Sequence, residues 1–232
     1  MKQFKCDIGQ VLNPLDEESF IHIPAEIKKN SLENSNTDKC SLKEIGIEVS
    51  TGPVVDFRIK DNLHKMPLKG DAPLLYPAHF DGNSVKWPRK EIRKSNAISL
   101  DDETKKMLFP KGFYVLVKRF SSKEEKKRIS AALLSPKEIK AKRLGFENHL
   151  NVFHIKKTGL EENVARGLMI YLNSSGVDKY FREFNGHTQV NATDLRSLKY
   201  PPIEALKVLG KMAKSNKTAN QGDIDKMVKS IL

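Results

Sequence analysis

The chain has 232 residues, of which 38% are hydrophobic and 30% charged, a composition typical of a polar globular protein. No stretch approaches the roughly 20 apolar residues that a membrane-spanning helix needs, and the N-terminus lacks a signal-peptide pattern, so we expect no membrane partner. The two cysteines, Cys6 and Cys40, have no metal-binding spacing and predict a reducing, cytoplasmic location without a disulfide.

The net charge of +12 is unevenly distributed along the chain. Residues 1–50 hold 6 Lys or Arg against 9 Asp or Glu, and the remainder holds 35 against 20. A basic body of this kind attracts the phosphate backbone of DNA or RNA. A charge that serves only solubility is the alternative explanation.

In chain order, residues 1–50 are predicted to be a connector with one extended segment, "ESFIHIP", at 18–24. Two extended pieces then flank a turn at Gly52 and Pro53. A short strand at Leu74–Tyr76 follows. The turn Asp81-Gly82-Asn83 leads into a second strand that ends at Pro88, and residues 89–106 are predicted to be a loop.

The run "GFYVLVKRF" at 112–120 has apolar residues on both faces, which predicts a central, buried strand. The segment "ISAALLS" at 129–135 fits either its antiparallel partner or a helix. Residues 144–155 alternate between apolar and polar side chains, which predicts one more strand.

Helical patterns begin near residue 160. Leucine and valine recur every fourth position between Leu160 and Leu172, and a second apolar stripe runs from Val177 to Phe184. "NSSG" separates the two, and the tail 203–232 carries two more helical stretches. The pattern predicts an α+β fold, in which C-terminal helices pack against a mixed or largely antiparallel sheet.

Five blocks of sequence together resemble a known family. They read "STGPVVDFR", "APLLYPAHF", "FPKGFYVLVKRFSSKEEKKRI", "GFENHLNVFH" and "LNSSGVDKYFREFNGHTQVNATDLRSLKYP". Their succession over about residues 46–202 resembles the C-terminal target-recognition region of adenine-specific DNA methyltransferases from type II restriction–modification systems. The last block also resembles, more loosely, the end of recognition domains in type I specificity subunits.

The resemblance implies a domain plan. Residues 1–45 would connect to a catalytic domain, 46–202 would recognise a double-stranded DNA target, and 203–232 would form a helical tail. The family's catalytic Asn/Asp-Pro-Pro-Tyr/Phe tetrapeptide and its glycine loop for S-adenosylmethionine do not occur in this sequence; the Pro-Pro pair at 201–202 follows Tyr200. We therefore expect no cofactor in this chain, and a methyltransferase catalytic domain, in cis or in trans, as a partner.

Residues 118–128, "KRFSSKEEKKR", combine six basic and two acidic side chains directly after the buried strand. Ammonium, guanidinium and hydroxyl groups at a strand end suit phosphate contact, which positions a protein on DNA without reading its sequence. A solvated hairpin is the alternative. The candidates for phosphate contact are Lys118, Arg119, Ser121, Ser122 and Lys123.

The stretch "ENHLN" places Glu147, His149 and Asn151 on one strand face. With His154 they could be read as metal ligands, but no second group of ligands with suitable spacing follows. DNA contact, or a polar network with a neighbouring strand, is the favoured interpretation.

Residues 185–193 alternate between hydrogen-bonding and small side chains, with His187, Gln189, Asn191 and Thr193 on one face. Such a row predicts an extended segment beside "ENHLN", followed by a short helix capped by Thr193 or Asp194. Scaffold and DNA contact are both open, and base reading is expected mainly from the loops 58–72, 81–106 and 135–145. The predicted DNA contacts beyond the phosphate candidates are Arg58, His79, Arg128, His149, Asn151, His187, Gln189 and Arg196.

Two other functions compete with DNA recognition. Glu-x-Lys triplets at 103–105, 124–126 and 138–140 could belong to a stand-alone restriction endonuclease, but they lie in segments without a strand pattern. An RNA-binding module would use stacking aromatics, and only 7% of the residues are aromatic.

Overall fold

The computed structural model describes residues 39–121, 124–137, 139–185, 188–215 and 220–232. Several predictions concern residues outside these ranges: the extended segment 18–24, the connector up to residue 38, and the candidate DNA contacts Ser122, Lys123 and His187.

Within the described residues, strands dominate up to residue 154 and helices follow, which confirms the α+β prediction. The strands are β1 (Glu48–Thr51), β2 (Leu63–His64), β3 (Ala72–Leu75), β4 (Phe80–Asp81), β5 (Ser84–Val85), β6 (Ala97–Ile98), β7 (Phe109–Pro110), β8 (Tyr114–Lys118), β9 (Ala131–Leu134), β10 (Arg143–Phe146) and β11 (Leu150–His154). The α-helices are α1 (Glu162–Leu172), α2 (Ser175–Phe184), α3 (Ala192–Ser197), α4 (Ile203–Ser215) and α5 (Gln221–Lys229). Short 3-10 helices cover Asp56–Arg58, Lys60–Asn62, Pro77–His79 and Thr104–Met107.

These strands form two sheets. The first has the order β1-β11-β8-β9-β5-β4, and its neighbouring pairs are antiparallel except for β5 with β9. The second has the order β2-β6-β3-β10-β7, and its neighbouring pairs are antiparallel except for β3 with β10. A mixed, largely antiparallel sheet structure is therefore confirmed.

Strand β8 lies inside the first sheet and is buried on both faces, as its sequence predicts. Val115 and Val117 face the helical side, whereas Tyr114 and Leu116 face the second sheet. Strand β9 pairs with it in antiparallel register. Residues 131–134 are therefore a strand, since burial between two layers outweighs the helical preference of alanine and leucine.

The two sheets pack through an aromatic cluster. The ring centroids of Phe109 and Tyr114 each lie 5.2 Å from that of Phe146, in edge-to-face arrangements. Rings at this spacing attract through their quadrupoles by about 0.5–1.5 kcal/mol per pair, beyond the area that they bury. The contact fixes the position of β10 below β8 and so the position of the chain that leaves β10.

Residues 144–155 are not one continuous strand, and that prediction is wrong. Strand β10 belongs to the second sheet and β11 to the first, and a turn at 147–149 joins them, closed by the Leu150 N–H bond to the Glu147 carbonyl at 3.0 Å. Alternation continues through the turn because Phe146, Leu150 and Val152 all enter the space between the sheets. A strand that changes sheets therefore looks unbroken in sequence.

Helices cover the opposite face of the first sheet. Leu168, Phe181 and Leu195 pack there with Val117 and Phe153 in one core. The "NSSG" break between α1 and α2 has a structural use: the Asn173 side chain accepts from the Ala131 N–H at 3.1 Å and donates to the Ala131 carbonyl at 2.8 Å. One amide thereby ties the helical layer to strand β9.

The C-terminal tail shares this core. Leu206 and Leu209 of α4, and Ile224 and Met227 of α5, are buried in the same cluster as the helices before them. Among the described residues, no helix is both long and apolar enough to cross a bilayer.

Candidate nucleic-acid interface

The turn at 147–149 lies where the two sheets meet, and the backbone of residues 52–54 holds it in place. Gly52 donates to the Leu150 carbonyl at 2.8 Å, and Asn148 donates to the Val54 carbonyl at 2.9 Å. A Cβ atom on Gly52 would lie 2.3 Å from the Glu147 carbonyl oxygen. Only glycine allows this approach, which explains why the segment "STGP" at 50–53 has a glycine at position 52.

Within the turn, a buried carboxylate holds an exposed imidazole. Glu147 has 0% of its surface exposed, and its Oε2 accepts the His149 backbone N–H at 2.9 Å. Its Oε1 contacts Nδ1 of the His149 ring, whose side chain is 46% exposed. The Phe120 ring, itself 45% exposed, lies against this imidazole with a centroid distance of 5.1 Å. Glu147 therefore fixes one edge of the ring, and Phe120 packs beside the ring at a tilted angle of 41°.

Residues 188–190 run beside the end of β8 and place Gln189 at the same surface. Val190 donates to the Arg119 carbonyl at 2.7 Å, and Ser121 donates to the Thr188 carbonyl at 3.1 Å. The Arg119 guanidinium donates to the Asn148 carbonyl at 3.3 Å and reaches the Gln189 side-chain oxygen at 3.5 Å. We call the surface formed by Arg119, Phe120, His149 and Gln189 the His149 face.

Asp56 borders this face together with Lys94 and Tyr76. Burial raises the pKa of the Asp56 carboxyl, but the Lys94 ammonium at 2.8 Å more than offsets this, so that the pKa is lower than usual; His149 contributes in the same direction. Burial raises the pKa of the Tyr76 phenol, and the Asp56 and Glu147 carboxylates add to the effect. Phe57, 63% exposed, and the exposed Arg58 directly follow Asp56 in the chain.

Arg128 and Ser121 lie in the interior instead of at this surface, which removes both from the proposed DNA contacts. Arg128 is 1% exposed, and its guanidinium donates to Ser121 Oγ and Asn185 Oδ1 at 3.1 Å each. The Asp178 carboxylate accepts its backbone N–H at 2.5 Å, and Asn185 continues the network to Asp194 at 2.9 Å. A buried guanidinium needs such partners because desolvation is costly.

His79 and Asn151 are likewise fully buried, so neither side chain can reach DNA at this surface. His79 Nε2 bonds to Asn96 Oδ1 at 3.0 Å, and burial lowers the pKa of His79.

Lys118 is half-buried with its ammonium 5.4 Å from the centre of the Phe80 ring. The exposed Arg196 donates to the Val49 carbonyl of β1 at 3.0 Å. Thus Arg119 contacts both His149, through the backbone, and Gln189, whereas Arg196 lies against a different strand.

The polar row ends earlier than its alternation predicts. Asn191 caps helix α3, and its backbone N–H bonds to Asp194 Oδ2 at 2.8 Å, so Thr193 is helical and the prediction of Thr193 or Asp194 as the cap is wrong. Leu195 and Leu198, which follow this cap, pack into the core. The row does fasten to "ENHLN", since Asn151 Nδ2 donates to the Val190 carbonyl at 2.7 Å.

This amide contact leads to a first prediction. Asn151→Ala leaves the buried Val190 carbonyl without its donor, which costs about 1–3 kcal/mol of unfolding free energy. Urea denaturation measures the loss. Thr188→Ala, an exposed position in the same segment, is the matched control and should change stability little. Equal stability of the two variants would contradict a scaffold role for Asn151.

The metal interpretation of "ENHLN" finds no support in the described residues, where no group of three or more His, Cys, Asp or Glu side chains could hold an ion. His154, 3% exposed, instead bonds to Ser50 Oγ at 2.9 Å, and burial lowers its pKa.

Sequence reasoning missed Phe120 as a member of this site. Phe120 is the first exposed residue after a strand of buried ones, and an aromatic side chain at such an exit, directly after two basic residues, is the signal that could have found it. The sequence singled out Glu147 but did not predict its burial, because a carboxylate between apolar strands is expected to face solvent until the turn is known.

Comparison with known proteins finds relatives of this chain among the type II methyltransferases. The chain is 48% identical to the type II methyltransferase M.BsuBI of Bacillus subtilis over 233 aligned positions, which cover 100% of this chain and 46% of that protein. It is homologous to part of the type II methyltransferases. A second relative, the type II methyltransferase M.PstI of Providencia stuartii, is 41% identical over 204 residues, or 88% of this chain and 40% of that protein.

The chain thus spans about half the length of these methyltransferases. The alignment with M.BsuBI includes the connector and the tail, which the five sequence blocks did not reach. No protein-family model matches the chain. A solved chain from a type I restriction–modification system covers 93% of it at 11% identity, with 45% of that chain matched and a TM-score of 0.46.

Proposed function

We propose that this chain recognises a specific sequence in double-stranded DNA as part of an adenine-specific type II DNA methyltransferase whose catalytic domain lies outside it. The observation that carries the proposal is the pairing of two facts. The whole chain aligns with about half of a type II methyltransferase, and its sequence lacks the catalytic tetrapeptide that the family's chemistry needs.

The fold agrees with a division of labour between two domains. An S-adenosylmethionine site of this family needs a strand-to-helix glycine loop, and a Rossmann-like sheet is built from parallel strands joined by helices. In the described residues the parallel pairs are β3 with β10 and β5 with β9, and neither pair is the core of such a sheet. The residues present therefore do not fit the cofactor, and we assign it to the catalytic domain, in cis or in trans.

The charge of the chain supports DNA as the partner. Its net charge of +12 favours an anionic polymer, and Arg58, Lys118 and Arg119 remain at least partly accessible near the sheet junction. In the proposal, the basic residues after β8 hold phosphates, while the His149 face and the loops 58–72, 81–106 and 135–145 read the bases. Phosphate contacts set register, and base contacts give specificity.

A salt titration of DNA binding tests the proposal. Lys118→Ala combined with Lys123→Ala should weaken binding to all duplexes about equally, and each phosphate contact removed should flatten the plot of log affinity against log salt by roughly 0.9. Lys229→Ala, exposed at the end of helix α5, is the matched control and should leave the slope unchanged.

Three outcomes would overturn the proposal. They are the absence of measurable duplex binding, a preference for single-stranded RNA over duplex DNA, and divalent-metal-dependent cleavage of plasmid DNA. The second would indicate an RNA-binding module and the third a stand-alone endonuclease. Binding of S-adenosylmethionine to the isolated chain, measured by calorimetry, would contradict the assignment of the cofactor to another domain.

A further inference from the structure

We infer that His149 is a base-reading residue and that Glu147 and Phe120 are the positioning residues that hold its imidazole for this contact. The inference rests on the proposed function. It names the side chain through which the His149 face would discriminate one base pair from another.

The hydrogen-bond geometry leaves one ring nitrogen available. Nδ1 faces the Glu147 carboxylate, which can only accept, so Nδ1 carries the proton. Nε2 makes no hydrogen bond to any part of the chain that the structure describes. An imidazole in this state offers Nε2 to a base edge, where it can accept from an exocyclic amino group.

The surroundings make the imidazole unusually well fixed for an exposed side chain. The carboxylate that orients it is itself immobilised, because Oε2 accepts the backbone N–H two residues later and the side chain is 0% exposed. The Phe120 ring packs against the imidazole at a centroid distance of 5.1 Å and limits its movement. Few rotamers remain to be lost when a ligand binds, and such preorganisation strengthens discrimination between similar ligands.

A purely structural role does not explain this arrangement. A histidine that served only packing would be buried with its partner, as His79 is buried with Asn96. His149 instead projects at 46% exposure from the sheet junction, beside the exposed Phe120 and the Arg119 guanidinium. Charge, exposure and fixed orientation together favour contact with DNA over a role in packing.

The test begins by letting the full chain select its target from a pool of DNA duplexes with a randomised core. Binding is then measured to the selected duplex and to its single-base-pair variants. His149→Ala should lose discrimination at one base pair by roughly tenfold, since a single base contact contributes on that order. The salt dependence of binding to the selected duplex should stay unchanged, because no phosphate contact is removed.

The positioning residues are tested at the same base pair. Glu147→Met, which removes both acceptor oxygens at similar volume, should lose discrimination there, and the double variant Glu147→Met/His149→Ala should lose no more than His149→Ala alone. Glu147→Gln keeps only one of the two acceptor oxygens that His149 uses, so it should restore the discrimination only in part. Phe120→Leu should lose discrimination at that base pair, and Phe120→Tyr should keep it. Thermal melting of each variant separates these effects from unfolding.

Lys229→Ala, at the exposed end of helix α5 and outside the segments proposed to read bases, is the control. It should keep discrimination at the base pair that His149→Ala affects. If His149→Ala keeps full discrimination, or weakens all duplexes equally with a flatter salt slope, the inference is overturned while the proposed function stands. If the wild-type chain enriches no duplex, the proposed function fails and the inference fails with it.

Discussion

Replacing Gly210 by alanine is expected to destabilise the protein by about 3 kcal/mol or more, the upper part of the range for overpacked cores. Helix α4 crosses α1 through two glycines. A Cβ atom on Gly210 would lie 1.9 Å from the Asn163 carbonyl oxygen, and one on Gly167 would lie 1.9 Å from that of Leu206. Both obstacles are backbone atoms, so no side chain can rotate away and the two helices must separate.

Urea denaturation of Gly210→Ala and Gly167→Ala measures this loss. Gly222→Ala in helix α5 is the matched control, since its Cβ would meet only the Asn220 side chain, at 3.3 Å, on an exposed surface. In the control the helix preference of alanine should raise stability by up to about 1 kcal/mol. Wild-type stability of Gly210→Ala would show that α4 does not pack on α1 as described.

Arg128→Met is expected to cost about 3–6 kcal/mol, because each of two buried hydrogen bonds from a charged donor contributes about 1.5–3 kcal/mol. The substitution keeps the length of the side chain but leaves Asn185 Oδ1 and Ser121 Oγ without the donors that the guanidinium supplies at 3.1 Å. Because the network joins the segment after β8 to helices α2 and α3, the loss should affect folding before DNA binding.

Thermal melting and duplex binding of Arg128→Met, measured side by side, check this expectation. Lys126→Met, two residues away and exposed, is the control and should melt like the wild type. A variant Arg128→Met that is as stable as the wild type but binds all duplexes more weakly would return Arg128 to the phosphate contacts.

The helix crossing also bears on how the chain is organised. The glycines that meet are Gly167, within the proposed recognition domain 46–202, and Gly210, in the tail 203–232. With Leu206 and Leu209 in the same core as Leu168, the tail packs as a continuation of the helical layer. Loss of the tail should therefore expose the side of α1 that α4 covers.

The sequence by itself determined the fold class, because its information is local and periodic. Two-sided burial of β8 follows from a continuous apolar run, and helices α1 and α2 follow from apolar side chains spaced three and four apart. The resemblance to a target-recognition region was visible in the sequence, because five blocks occur in the order that the family has. The homology to type II methyltransferases agrees with it.

Only the tertiary structure decided which polar residues face outward. Arg128 and Lys126 lie in the same basic loop, yet one is 1% exposed and the other is exposed. Arg128 is buried because Asp178 in helix α2 and Asn185 directly after it, some fifty residues later in the chain, accept its hydrogen bonds. The turn that aims His149 likewise depends on Gly52, almost a hundred residues earlier. Side-chain periodicity reports the two faces of one element, whereas a site assembled from several elements depends on contacts that periodicity does not encode.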